Sequence, residues 1–315
     1  MKLLRFLLLL AIVVASTQAA SNSLTTYWNS QLQGVLIPPS IMKFFPAVGS
    51  NSVSSQFMTN NPNISEDVNI LKCHATQRPP KLTSDSTSLH FLEKDLSNNS
   101  ELHVFPRFPS LNSGKANFVP RTIVEGFPTL KSINLPIILA QFFISPKSAA
   151  AKVIKHTVQL CEHAAEDDNV CITSLESMID FVQSKLGKSS SQNRIRAFST
   201  TMEGKYFNPT SNLQPYHMVE VKKVTKNKKS VVTCHKAEFP FAVFLCHQRP
   251  ATVPYMVTLE GVHDRTRIEA ATVCHMDTSE WDARFPGLVA LKATPGTPVC
   301  HFLNQGSVLW VVERQ

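Results

Sequence analysis

Four cysteine-histidine dipeptides, Cys234-His235, Cys246-His247, Cys274-His275 and Cys300-His301, follow one another at intervals of ten, twenty-six and twenty-four residues. Five of the 7 cysteines precede a histidine, although the chain holds only 11 histidines in 315 residues, so the adjacency is a pattern. The runs that carry it, such as "SVVTCHKA", "FAVFLCH" and "RIEAATVCH", are β-branched or alternating and read as strands. Successive residues on a strand point to opposite faces, so a cysteine and its adjacent histidine do not readily share an ion while the strand stays regular. With the pairs on neighbouring strands, the cysteines gather on one side and the histidines on the other. In an oxidising compartment four gathered thiols form two disulfides, each worth about 2–4 kcal/mol. Four gathered imidazoles are a metal site, and all-nitrogen ligation suits Cu(II) first and zinc second. Three other arrangements fit the same residues: disulfides beside merely hydrogen-bonded histidines, a reduced zinc site, and a nucleophilic Cys-His couple.

The compartment follows from the N-terminus. Lys2 and Arg5 precede an apolar stretch from Leu7 to Val14 and a small-x-small end at Thr17-Gln18-Ala19, the pattern of a secretory signal peptide over residues 1–19. That stretch is too short to span a bilayer, and "INLPIILAQFFI" is twelve residues long and contains Pro136, so no membrane span is expected. Export also makes two sequons, at Asn63 and Asn98, usable for N-glycosylation. The formal charge of +8 falls to +6 when Lys2 and Arg5 leave. Its densest part, "KKVTKNKK" from Lys222 to Lys229, reads as a solvated hairpin loop or a contact for an acidic wall polysaccharide or membrane surface. Without aromatic interleaving it does not read as a nucleic-acid site.

Residues 20–89 are rich in Ser, Asn, Thr and Pro and are expected to form a largely irregular leader, which holds the fifth pair, Cys73-His74. A single domain is expected over residues 90–315. Its first secure helix starts at Ser145 as N-cap with Pro146 at N1, with Ala150, Ile154, Val158 and Cys161 in one stripe. The second opens on a Thr173–Glu176 capping box, buries Leu175, Met178, Ile179, Val182 and Leu186, and stops at Gly187. A disulfide between Cys161 and Cys171 would staple the two helices. After the loop "GKSSSQNR", strands are expected at "MVEVKKV", "SVVTCHKA", "FAVFLCH", "YMVTLEGV", "RIEAATVCH", "GLVALKA" and "SVLWVVE". The fold class is α+β: a mainly antiparallel β domain, disulfide-stapled, with two helices preceding its β-rich C-terminal half.

The complete four-pair spacing closely resembles the signature of the BURP-domain family of plants. "FLEKDL" is similar to the family's domain opening, "CITSLESMIDF" with Cys161 to its two-cysteine stretch, and "VCHMDTSEW" and "TPGTPVCHF" to the segments around its last two pairs. "YWNSQL" at residue 27 is similar to the post-signal segment of the unknown-seed-protein-like members. The resemblance implies a secreted plant protein of cell wall, seed storage vacuole or anther, linked to development or stress. It also implies that His235, His247, His275 and His301 ligate copper beside staples formed by Cys234, Cys246, Cys274 and Cys300, whose pairing stays open.

Some members are copper-dependent, autocatalytic peptide cyclases that crosslink a Trp or Tyr of a short core peptide. This chain departs from them. His90-Phe91 replaces the usual Phe-Phe at the domain opening and is read as a neutral surface change. The only comparable aromatic cluster in the leader, Tyr27-Trp28, sits in the ordinary post-signal segment. The expected function is therefore non-catalytic, with a histidine copper site; the alternative is oxidative cyclisation, including of a separate peptide. Asp277 is a candidate partner for His275 or a metal-bound water, or a turn residue with Thr278 and Ser279. Trp281 and Trp310 are expected to pack in the core or on disulfides.

Overall fold

The computed structural model describes residues 23–46, 90–97, 100–102, 116–167, 169–188, 190, 193–203, 215–225 and 231–314. The signal segment, Asn63, Asn98, Cys73-His74 and Lys226, Lys228 and Lys229 of the basic run lie outside them.

In chain order the elements are helix α1 (residues 23–31), α2 (Pro39–Met42), strands β1 (His90–Leu92) and β2 (Ser100–Leu102), then α3 (Arg121–Val124), α4 (Leu135–Gln141) and α5 (Ala149–Glu162). Strand β3 (Asn169–Ile172), helix α6 (Leu175–Leu186), and strands β4 (Asn193–Phe198) and β5 (Thr201–Glu203) lead into the β-rich half. There follow β6 (Tyr216–Lys223), β7 (Val231–Ala237), β8 (Val243–His247), β9 (Thr252–Gly261), β10 (Arg267–His275), α7 (Pro286–Ala290), β11 (Val299–Phe302) and β12 (Val308–Arg314). One sheet runs β1-β11-β10-β9-β6-β2, with β5 also on β10, and the other runs β3-β8-β7-β12-β4. Every pairing among these strands is antiparallel.

The sheets face each other across a layer in which Val231, Leu309 and Val311 of one pack with Ala271 and Val273 of the other. The far face of the five-stranded sheet, with Val232, Phe244, Val308 and Trp310, is covered by Leu175, Met178, Ile179 and Val182 of α6. Beyond Ala237, Val243 and Leu245, helices α4 and α5 close the near face through Ile138, Leu139, Ile154 and Val158. The architecture is thus α+β, mainly antiparallel and stapled by three disulfides.

Several local expectations shift. Helix α5 begins after Ser148, whose Oγ accepts from the Ala151 amide at 3.1 Å; Ser145 belongs to the preceding turn, its carbonyl accepting from the Ser148 amide. Helix α6 is capped by Ser174, which accepts from the Ser177 amide, and Glu176 instead accepts from the Arg121 amide, so no Thr173–Glu176 box forms. Gly187 ends α6 at φ +82°, a conformation glycine adopts without steric cost. Cys161–Cys171 joins α5 to strand β3, the edge of the five-stranded sheet, and not helix to helix. "GLVALKA" is not a strand: Pro286 sits at N1 and starts the short helix α7. The strand at this end is β11, which carries the last Cys-His pair. "NRIRAF", placed partly in a loop, forms β4 because its register on β12 seats Ile195 opposite Val312.

The largest departure is in residues 20–89, whose described part is neither irregular nor peripheral. Leu24, Trp28, Leu32, Val35, Ile41 and Phe44 are buried in the same core cluster as α6 and the five-stranded sheet. Their spacing, with Leu24, Trp28 and Leu32 four apart, is a helix face that the polar composition around it obscures. The Trp28 indole N–H donates to the Val35 carbonyl at 2.8 Å, and its ring lies 5.5 Å from that of Trp310. Trp28→Ala is expected to destabilise the protein by about 3–5 kcal/mol, the usual cost of emptying a buried aromatic site, as read from the denaturant midpoint.

Candidate metal centre between the two sheets

Strand register places every Cys-His pair. On β7 and β8, Cys234 lies opposite Cys246, His235 opposite Leu245 and Thr233 opposite His247. The two cysteines therefore bond on one face, and the two histidines stand diagonally on the other. On β10 and β11, Cys274 lies opposite Cys300, His275 opposite Val299 and Val273 opposite His301, which repeats the arrangement. The bonds are Cys234–Cys246 and Cys274–Cys300.

The pairs lie on two sheets, which corrects the picture of four cysteines gathered on one side. One disulfide faces the core under α6 and the other the opposite core beyond the seven-stranded sheet, with Phe91, Tyr216 and Phe302. Only the histidines converge, because only the inner faces meet. His235, His247, His275 and His301 are between 2% and 5% exposed. Their ring centroids lie 5.2 Å apart for His235–His247, 5.9 Å for His235–His301 and 5.5 Å for His275–His301. His301 is the link between the sheets.

The hydrogen bonds fix part of the proton arrangement. His301 Nδ1 lies 3.2 Å from the Phe302 carbonyl, which can only accept, so Nδ1 carries the proton and Nε2 presents its lone pair. His235 Nε2 and His247 Nε2 are 3.2 Å apart, so one donates to the other. Burial holds His235 down to about 3, helped by charge repulsion from His301 and Arg249. Burial likewise lowers His301 to about 4, against the opposing pull of its bond to Phe302. Both rings are thus neutral at pH 7, the form that ligates metals.

The donor set fits an ion that prefers nitrogen. Two nitrogens about 2.0–2.1 Å from one ion, at about 90–110°, lie about 2.9–3.4 Å apart, and the 3.2 Å between His235 and His247 falls in that interval. Rings so bound have centroids about 4.5–5.3 Å apart, an interval that holds the 5.2 Å of His235–His247, whereas the 5.5 and 5.9 Å of the other two pairs correspond to wider angles of about 120–135°. As they stand, the rings form a stack, and among the described residues no three His, Cys, Asp or Glu side chains are grouped to hold an ion. Rotation about χ2, a soft torsion in histidine, is the motion that would converge their nitrogens.

The neighbours sort simply. Asp277 Oδ1 accepts from the Ser279 amide and hydroxyl, at 3.0 and 2.7 Å, and so serves as a turn residue. Trp281 packs edge-on against His275 at 5.2 Å and against Phe285 at 5.0 Å, so it walls the cluster and not a disulfide. Trp310 lies in the core cluster that contains Cys234 and Cys246. One residue of the cluster escaped the sequence reading. His90 is 5% exposed, not on the surface, and its ring lies 5.4 Å from that of His301. Its signal was an imidazole at an inward position of the apolar run "HFL", visible only once β1 is known to pair with β11.

Residues 89–312 match the model of the BURP domain. The chain is 38% identical over 230 residues to BURP domain protein RD22 of Arabidopsis thaliana, covering 71% of this chain and 56% of that protein. It is also 38% identical to BURP domain-containing protein 3 of Oryza sativa subsp. japonica, with 71% and 51% covered. Against BURP domain-containing protein 5 of the same rice, identity is 36%, with 70% and 66% covered. The chain thus spans about half to two thirds of the length of these curated relatives.

Proposed function

The chain belongs to the BURP-domain family of plants, and from that premise we propose that it is an exported protein in which His235, His247, His275 and His301 hold a copper ion without turnover, in cell wall, seed or reproductive tissue. The observation that carries this reading is the burial of all four imidazoles between two sheets that are each locked by a cross-strand disulfide. Bound there, copper supplies a bond between the sheets. His301 offers Nε2 because Phe302 holds the proton on Nδ1. His235 and His247 would hold the ion through Nε2, the proton of their mutual hydrogen bond moving to Nδ1 of the donating ring, and Trp281 packs over His275.

Burial also weighs against substrate chemistry, since a peptide side chain must reach the ion to be oxidised. Trp28 is fully buried and hydrogen-bonded to Val35, and Tyr27 donates to Asp180, so neither behaves as a residue awaiting crosslinking. No helix among the described residues is long and apolar enough to cross a membrane, and three disulfides suit an oxidising compartment. Acidic wall polysaccharide is the partner suggested by the basic run that begins at Lys222.

The test is copper analysis of the chain purified from a secreting host, followed by incubation with Cu(II) and dioxygen and measurement of intact mass. Stoichiometric copper with unchanged mass is expected. Loss of two hydrogens per crosslink, in the chain or in an added peptide, with dioxygen as oxidant, would replace this reading by peptide cyclisation. A chain that takes up no copper would end both.

A further inference from the structure

We propose that His90 is a fifth nitrogen donor of the inter-sheet centre, an inference that rests on the copper reading above. His90 lies directly opposite His301 in the β1–β11 register, so the two side chains share the inner face of the sheet. Their ring centroids are 5.4 Å apart, a spacing equivalent to those within the other four. His301 thus touches His90, His235 and His275 at once.

The position is built, not incidental. Phe285 meets the His90 ring edge-on at 5.4 Å and itself packs on Trp281, which walls His275. Helix α7 brings Gly287 so close that an added Cβ would stand 3.1 Å from two atoms of the His90 ring and 2.5 Å from Phe285. The imidazole is therefore held between an aromatic wall, the backbone of α7 and His301, with little freedom to swing away. An apolar side chain in this slot would carry no polar atoms to desolvate. What imidazole adds is its nitrogens, at the cost of burying them. A tetragonal Cu(II) set leaves room for a further, weaker donor, and His90 stands beside the residue that links all the others.

Copper titration of the metal-free chain and of His90→Phe, with pulsed electron paramagnetic resonance to count ligating imidazoles, tests this. The variant is expected to bind about tenfold more weakly or worse, on the scale of metal-site partner loss, with one imidazole fewer in the spectrum. Equal affinity and an identical spectrum would make His90 a packing residue while leaving the four-histidine reading intact. Failure of the unmutated chain to bind copper would remove that reading first. Should His90→Phe not fold, pulsed electron paramagnetic resonance of the unmutated chain loaded with Cu(II), with and without ¹⁵N-histidine labelling, carries the same decision: five ligating imidazoles support the inference and four overturn it.

Discussion

Below about pH 6 the metal-free protein is expected to lose stability steeply, by on the order of 5–8 kcal/mol between pH 6.5 and 4.5. Three buried imidazoles set this slope. Burial lowers His90 and His235 to about 3 and His301 to about 4, with His301 also repelling charge on the other two. In the unfolded chain each returns to about 6.5. Between those limits the unfolded state binds more protons than the folded one, so stability rises with pH and is lost as pH falls. Each group contributes up to about 1.4 kcal/mol per pH unit. The sum is comparable to the entire stability of a typical domain, about 5–15 kcal/mol. Urea unfolding of the metal-free chain at half-unit steps from pH 7.5 to 4.5 measures it. A midpoint that stays level from pH 6.5 to 5 would mean that the rings are hydrated and titrate normally.

His301→Ala is expected to weaken copper binding by about 100-fold or more, beyond the upper end of what loss of an outer partner costs a metal site. His301 combines contacts to both sheets with a fixed tautomer: it meets His235 across the interface and His275 within its own sheet, and Phe302 holds its Nδ1 proton. Removing it takes away the ring that meets both His235 and His275. His263→Ala, at an exposed turn, is the control and should bind as the unmutated chain does. Near-ultraviolet circular dichroism with all three disulfides intact separates a lost ligand from a lost fold. Unchanged copper affinity in a folded His301→Ala protein would refute the inter-sheet site.

The strand runs around three of the Cys-His pairs were legible because alternation and β-branching survive in "SVVTCHKA", "FAVFLCH" and "RIEAATVCH". Helices α5 and α6 were legible from their apolar stripes, with errors of one to three residues at the caps, where several serines and threonines compete for one amide. Helix α7 was misread because "GLVALKA" alternates over too few residues to separate a strand from a helix, and Pro286 decides the matter. The N-terminal helix was missed because its apolar face is set in polar surroundings and its partners, Trp310 and α6, lie far along the chain.

By itself, the sequence determined that cysteine and histidine of each pair must part company, since adjacent residues of a strand cannot face the same way. It determined too that the chain is mainly antiparallel, with helices ahead of the β-rich half. Which cysteine meets which, and that the two bonds face away from each other, was decided by register and by the division of the strands between two sheets. The histidines of those sheets meet only because the inner faces pack together. His90 joins them only because β1 pairs with a strand more than two hundred positions later. Alternation along a strand is a local property that residues can show; the facing of two sheets depends on long-range packing, which no short run of residues encodes.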